Sequence, residues 1–576
     1  MTDLADLLTY RLARAFAEVA GEAADPAVRR SEHADYQADG ALRLAKRLRR
    51  PPREVAAAVL GVAELDDLVA KAEIAGPGFL NLTIADSALS RHVEAMAVDE
   101  RLGVPTVAAP ERILVDYSGP NVGKELHVGH LRSTVIGDAL ARLLQFLGHD
   151  VVRQNHLGDW GTTFGMLIEH FVDSGADPSA DDFALGDLTE FYQAARRKFD
   201  GDEDFANRAR RRVVQLQTGD ADTLALWQLF IDESAKHFQA VYDALDITLT
   251  PEHIRGESAY NDGLPGLVDE LVKLGLLKES DGALCLFPDG FTGRDGKPFP
   301  IIVRKRDGGY NYEATDLVAI RQRLLDLKAQ RICYVVASEQ RLRLAMLFEA
   351  ARDTGWLQPP ASAEHITFGM VLGPDRKRLR TRSGDLPKLA DLLEAAVRRA
   401  EGVIAEKAPD LDTGERAAVA KAVGIGAIKY GDLSSDRIKD YLFDLDQMVS
   451  FDGNTAPYLQ YAHARIQSVF RRGNIDPAAF HGTEVILNDP TEHRLALRLS
   501  EFGGVLNKAA DGVELHRICG YLFDLATAFT AFYENCPVLR AEDDTTRASR
   551  LVLCDVTAKV LATGLSVLGI AAPNRI

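Results

Sequence analysis

Cysteine is scarce in this 576-residue sequence, and so is any long apolar run. The five cysteines, Cys285, Cys333, Cys519, Cys536 and Cys554, are scattered, odd in number and never in a C-x-x-C pair. That spacing argues against a disulfide framework and a structural zinc site. No apolar stretch reaches the length that spans a bilayer. The first twenty residues carry Asp3, Asp6 and Glu18, so they fit neither a secretory signal nor an acid-poor transit peptide. The expectation is a chain of the reducing cytoplasm, with no membrane partner and no metal-ligand set.

Positive charge is also in deficit, with 67 basic against 85 acidic residues and a net charge of −18. Binding to nucleic acid depends on local fields rather than on the sum over the chain, so this excludes less than it first suggests. Basic residues cluster at Arg43 to Arg53, Arg208 to Arg212 and Arg376 to Arg382. Each cluster is dense enough to meet phosphates, and each would serve equally well as a solvated helix face. What is present in quantity is ordinary globular material, 46% hydrophobic and 26% charged, on a chain long enough for three or four cores.

Helical periodicity runs from Leu4 to Val19 and from Ala41 to Leu48, and a short strand is expected at Phe79–Ile84 after Gly76-Pro77-Gly78. After Pro105 and Pro110 the run ILVDYS reads as a buried strand. A turn and an amphipathic helix follow, closed by Gly148, and VVRQN opens the next strand. Strand, loop, helix, strand is half of a doubly wound α/β sheet. A charge-rich helical insertion from about Met166 to Leu245 interrupts it. Strands are expected again at Ile301–Val303, Ile332–Ala337 and Ile366–Leu372, and beyond Leu389 the pattern is helical throughout.

The sharpest local feature is His127-Val128-Gly129-His130, between a predicted strand and the start of a predicted helix. Two imidazoles beside unsatisfied backbone N–H groups, with glycine permitting close approach, suit a polyphosphate at the positive end of a helix dipole. Those four residues alone are weak evidence, because histidine pairs often only pack or bind metal. Their context is specific. The stretch Val115 to Met166, VDYSGPNVGKELHVGHLRSTVIGDALARLLQFLGHDVVRQNHLGDWGTTFGM, resembles the nucleotide-binding half of arginyl-tRNA synthetases of class I.

That resemblance implies ATP, accompanied by Mg2+, as a substrate, with no prosthetic group. It implies ATP contacts at His127, Gly129, His130 and Met370. It also implies a second, basic signature loop, for which Pro374 to Gly384, PDRKRLRTRSG, stands in the expected place. Arg378, Arg380 and Arg382 replace the family's usual lysines there, which leaves open the one that meets phosphate; Arg380 is a catalytic candidate beside His127, His130 and Lys124, the last a possible compensating cation.

Specificity for arginine needs a carboxylate facing a guanidinium, since that pairing gives parallel charge-assisted bonds that a lysine ammonium cannot copy. Tyr312 and Asp316, four apart on one helical face in GGYNYEATDLVAI, match the family's clamp; Asp116, Ser118, Asn121 and Gln340 match other positions lining its amino-acid pocket. A site that satisfies buried polar groups rejects analogues without proofreading. The insertion is correspondingly too small for a separate editing domain.

Ala34 to Lys46 and Gly76 to Ile84 resemble the family's additional N-terminal domain, where Arg43 and Arg47 would meet tRNA phosphates. Asp452 to Ser468, DGNTAPYLQYAHARIQS, resembles the opening of its anticodon-binding domain, with Tyr458, Tyr461 and Arg465 as candidate contacts. The expected architecture is a Rossmann-type parallel-sheet catalytic domain at 105–390, an α+β domain at 1–88 and an all-α domain at 391–576. The implied partners are arginine tRNA, L-arginine and ATP, and the chain is expected to be a monomer. A nucleotidylyltransferase would need neither end domain, and a non-catalytic tRNA-binding paralogue would have no use for the ATP loop.

Overall fold

The computed structural model describes residues 3–175, 188–293, 296–380 and 386–576. The chain forms two compact units, one of residues 1–107, 400–430 and 448–576, the other of 108–399 and 431–447.

The first unit opens with α1 (Leu4–Ala20), capped by Asp3, whose carboxylate accepts the Ala5 N–H at 2.8 Å. After it come β1 (Val28–Arg30), β2 (Tyr36–Ala38), α2 (Gly40–Leu48), α3 (Pro52–Val62), β3 (Val69–Ala75), β4 (Phe79–Ile84) and α4 (Asp86–Val98). The strands make an antiparallel sheet in the order β1-β2-β4-β3. Along β4 the buried residues alternate, Leu80, Leu82 and Ile84, as a sheet with one covered face requires.

The second unit begins with β5 (Arg112–Asp116), α5 (Val128–Phe146) and β6 (Asp150–Gln154). Gly137 lets α5 lie directly on the chain after β5, since a Cβ there would stand 2.3 Å from that of Tyr117. The insertion supplies α6 (Thr162–Ser174), α7 (Leu188–Gly201), α8 (Glu203–Thr218) and α9 (Ala221–Ala244). Arg208 and Arg212 of its basic cluster turn inward to Glu169, at 3.3 and 2.7 Å, so here the cluster braces helices.

Beyond α10 (Leu264–Lys273), strands β7 (Leu277–Ser280), β8 (Ala283–Leu286) and β9 (Ile301–Arg304) form a separate antiparallel sheet. The expectation that Ile301–Val303 belongs to the parallel sheet is therefore corrected: β9 takes its hydrogen bonds from β8. Next come α11 (Tyr312–Arg321), which runs on into a π-turn at Gln322–Asp326, β10 (Arg331–Tyr334), α12 (Arg341–Asp353) and β11 (Ser362–His365). The parallel sheet has the order β11-β10-β5-β6.

Ile366–Leu372 is not one strand either. The outer strand of the sheet ends at His365, and only β12 (Val371–Leu372) is extended further on. The intervening backbone is crossed by residues 437–440: the Gly369 N–H donates to the Arg437 carbonyl at 2.9 Å, and a Cβ on Gly369 would meet the Lys439 backbone at 2.5 Å.

The C-terminal portion contains α13 (Leu389–Lys407), α14 (Thr413–Leu433), β13 (Tyr441–Leu442), α15 (Leu445–Met448), α16 (Ala456–Gly473), α17 (Pro490–Leu499), α18 (Phe502–Gly512), α19 (His516–Asn535) and α20 (Asp544–Val567). Residues 431–447 return to the α/β unit, where β13 pairs in parallel with β12. They are anchored there by Asp432, whose carboxylate lies 3.2 Å from the Arg132 guanidinium of α5, both side chains being almost wholly buried. Among the described residues no helix is long and apolar enough to cross a membrane.

Candidate active site

A cavity of about 320 Å³ opens at the carboxyl ends of β5 and β10, where a doubly wound sheet offers a crevice. Its lining brings together the sequence-predicted Asp116, Ser118, Asn121, Gly129, His130, Asp316 and Gln340.

His127 caps α5 by accepting the Gly129 N–H on Nδ1 at 3.0 Å, and His130 Nδ1 accepts the His127 N–H at 3.2 Å. With both Nδ1 atoms accepting, each neutral ring carries its proton on Nε2. Burial, then Arg378, then Lys124 lowers the pKa of His127; burial first and His127 next push His130 down to about 3. The two rings, 4.1 Å apart, are thus uncharged donors at the positive end of a helix. Gly129 is obligatory between them, because a Cβ would stand 2.7 Å from the His127 ring.

A smaller cleft beside this pair is lined by Gly129, Arg132, Met370 and Arg378. Met370 is half exposed and its N–H donates to Asp440 at 2.6 Å. Arg380, also exposed, follows on the same loop outside both cavities. Arg382 lies outside the described residues. Lys124 sits with Nζ 4.2 Å above the Tyr192 ring of α7, a cation–π contact that holds it on the insertion.

At the cavity floor Asp116 is paired with Arg323 at 2.8 Å, with 8% and 2% of the side chains exposed. Arg323 reaches inward from the π-turn after α11 and also donates to Gln154 at 2.9 Å. Burial opposes its charge, but Asp116 and the Tyr334 and Tyr260 hydroxyls more than offset that, and its pKa is raised. Ser118 is held in the left-handed region, φ 72°, with Oγ 2.8 Å from the Tyr242 hydroxyl. Asn121 packs over Gly158, where a Cβ would collide with its Oδ1 at 2.2 Å.

Asp316 forms the opposite wall. Its Oδ2 accepts from Arg343 Nε at 2.5 Å and also from Nη2, while Arg343 Nη1 lies 3.4 Å from Gln340 Oε1. Tyr312, half exposed, has its ring 4.6 Å from the same guanidinium. Asp316 and Tyr312 are therefore gathered around one guanidinium, that of Arg343, and Tyr312 lines a neighbouring cavity rather than this one.

Sequence reading missed three groups. Arg343 and Arg323 carry no motif of their own. Glu257, on the loop before α10, also lines the cavity, and burial first, then Asp316 and Asp159, pushes its carboxyl up to about 7 against the opposing Arg343. Nothing in the sequence marked it, because an acid opening a short helical turn, here Glu257–Gly263, is an ordinary placement.

The remaining candidates stand elsewhere. Arg43 and Arg47 project from α2 to surface carboxylates, Asp25 at 3.1 Å and Glu22 at 2.9 Å. On α16, Tyr458 packs 5.5 Å from Phe523, Tyr461 is 43% exposed with its edge toward Phe451, and Arg465 lies over the Tyr533 ring at 4.5 Å.

A family model described as tRNA synthetases class I (R), catalytic domain, matches residues 92–445. The chain belongs to the arginyl-tRNA synthetase family. Models for the family's N-terminal domain and for the DALR anticodon-binding domain match residues 3–84 and 459–576. The arginine–tRNA ligase of Thermobifida fusca is 55% identical, covering 96% of this chain and 95% of its own. That of Frankia casuarinae is 51% identical, covering 98% and 96%. Among solved structures, the arginyl-tRNA synthetase of Plasmodium falciparum superposes with a TM-score of 0.87 at 26% identity, and that of Thermus thermophilus with 0.81 at 25%, both over the full length of each chain. Membership makes the chain a class I ligase that uses ATP.

Proposed function

We propose that the protein activates L-arginine as arginyl-adenylate and transfers it to the 3'-terminal ribose of arginine tRNA, and that the residues of the cavity divide this work as follows. The arginine carboxylate attacks the α-phosphorus of ATP and pyrophosphate leaves. The ribose hydroxyl then attacks the adenylate carbonyl and AMP leaves. No side-chain nucleophile is needed, so the protein's contribution is positioning and stabilisation of developing charge. His127 and His130 donate Nε2–H to the phosphates, Gly129 lets the nucleotide approach α5, and Met370 flanks it. Lys124, Arg378, Arg380 and Arg382 supply positive charge toward the departing pyrophosphate. Mg2+ arrives on the triphosphate as part of the substrate.

Asp316, Tyr312 and Glu257 hold the arginine guanidinium, and Ser118, Asn121 and Gln340 face its amino and carboxyl end, above the floor set by Asp116. The tRNA is met by Arg43 and Arg47 in domain 1–88 and by Tyr458, Tyr461 and Arg465 in domain 391–576. Catalysis belongs to 105–390 with the returning segment 431–447. The reaction runs in the cytoplasm on a monomer.

The observation that carries this reading is one cavity with neutral phosphate donors at a helix N-terminus on one side and the carboxylates of Asp316 and Glu257 on the other. Arginine-dependent exchange of labelled pyrophosphate into ATP, with and without arginine tRNA, tests it. Exchange that requires arginine is expected, and the family resemblance implies that tRNA will be needed too. A folded protein giving no exchange under either condition would leave only a tRNA-binding role.

A further inference from the structure

Arg343 lies on the partition between two cavities. The inner one, about 320 Å³, holds Asp116, His130 and Glu257; the outer one, about 270 Å³, is lined by Phe299, Tyr312, Glu313, Glu339 and Leu342. Among the described residues only Asp316, Arg343 and Leu347 line both. Asp316 and Arg343 form the polar part of the wall, and Arg343 occupies the clamp as an arginine head group would, with two donors on the Asp316 carboxylate and its guanidinium 4.6 Å from the Tyr312 ring.

A second guanidinium entering here would have to work around Arg343, which donates both its bonds to Asp316 Oδ2 and lies over the Tyr312 ring, and at contact distance the two cations would repel. Arg343 is also less enclosed than the other arginine of this cavity. Its side chain is 34% exposed, against 2% for Arg323 on the cavity floor. As the third residue of α12 it stands in the first turn, where the helix dipole disfavours a cation. The outer cavity offers it carboxylates on leaving, Glu339 and Glu313.

We propose that Arg343 is a self-substrate gate: its guanidinium keeps the arginine clamp closed and partitions the two cavities, and the incoming arginine must displace it, head group for head group. The proposal rests on Asp316 and Tyr312 being the clamp. The gate sets arginine affinity and leaves the chemistry to other groups. Affinity for a ligand that needs the open form is reduced by the fraction of molecules that are open. Removing the gate therefore tightens binding.

The test is pyrophosphate exchange with the full chain and arginine tRNA. Arg343→Gln keeps the side chain's bulk and removes its charge; the expected result is a KM for arginine about tenfold lower, with the change falling on KM rather than kcat. Guanidinium chloride is the second probe. It should compete with arginine more strongly in Arg343→Gln than in the wild type, because the clamp then lacks its own cation. A KM that is unchanged or raised in Arg343→Gln, with circular dichroism showing a native fold, overturns the gate and makes Arg343 a support for Asp316. Asp316→Asn separates the two levels of inference. If it keeps the wild-type KM for arginine, the clamp itself is misassigned, whatever Arg343 does.

Discussion

The floor and the wall of the cavity use the same chemistry to different ends. Each has an arginine on an aspartate, Arg323 on Asp116 and Arg343 on Asp316, and each guanidinium has an aromatic ring about 5 Å away. The floor pair is sealed, with 2% and 8% of its side chains exposed; the wall pair shows 34% and 13%. Burial makes a pair costly to break, because the abandoned charge has no water, while a partly solvated pair exchanges partners at small cost. On the proposed function the floor is scaffold and the wall a socket, and nothing in residue type separates them.

The largest effect should come from breaking the floor. Arg323→Met is expected to remove about 3–5 kcal/mol of stability by stranding Asp116, read by chemical denaturation; a loss under about 1 kcal/mol would mean the floor is no more structural than the wall. Asp316→Asn should do the converse. Stability should change by less than about 1 kcal/mol, while kcat/KM for arginine falls a hundred- to a thousandfold. Lys124 belongs to neither pair, being held over Tyr192. Its replacement by alanine should lower kcat by about one to two orders of magnitude with little change in KM, as for a charge felt only in the transition state; unchanged turnover would remove it from the mechanism.

A third ion pair, outside the cavity, has a cation that titrates. His493 lies 3.1 Å from Asp35 and 2.6 Å from Asp86, and the hydrogen bond to Asp35 does most to raise its pKa to about 9, against the effect of burial. A folded-state pKa above the unfolded value means stability fully present below about pH 6.5 and lost as pH rises through about 9. About 1–2 kcal/mol should disappear across that window, and His493→Gln should flatten the profile. The smallest effect concerns Glu257, which ionises near pH 7. The kcat/KM for arginine should rise several-fold from pH 6 to 8, and Glu257→Gln should abolish the rise.

What was legible in the sequence was local. Helix α1, strand β4 and the His127–His130 turn were each written in consecutive residues, through periodicity, Gly76-Pro77-Gly78 and the glycine between two histidines. That Tyr312 and Asp316 share a helix face was legible from their spacing of four, while their candidacy came from the family resemblance. Arg343 and Arg323 were not, since each acts through a carboxylate far away in the chain. The fate of Ile301–Val303 was hidden for a related reason. A short apolar run states that a strand is buried but not which sheet receives it. Arg208 and Arg212 of α8 show the reverse risk, two members of a basic run that looks ready for phosphate and yet pair with Glu169 and Asp173.

The return of residues 431–447 bears on how the chain is made as well as on how it works. Synthesis delivers the chain from its N-terminus, and domains ordinarily fold as they emerge. Here β12 waits for β13, and the guanidinium of Arg132 waits for Asp432, the Lys439 carbonyl and the Tyr441 ring. A ribosome that has released residue 399 has therefore not yet released a finished catalytic unit, and a gene cut at that point would encode one whose Arg132 lacks both its carboxylate partner and the Lys439 carbonyl and Tyr441 ring that help enclose it.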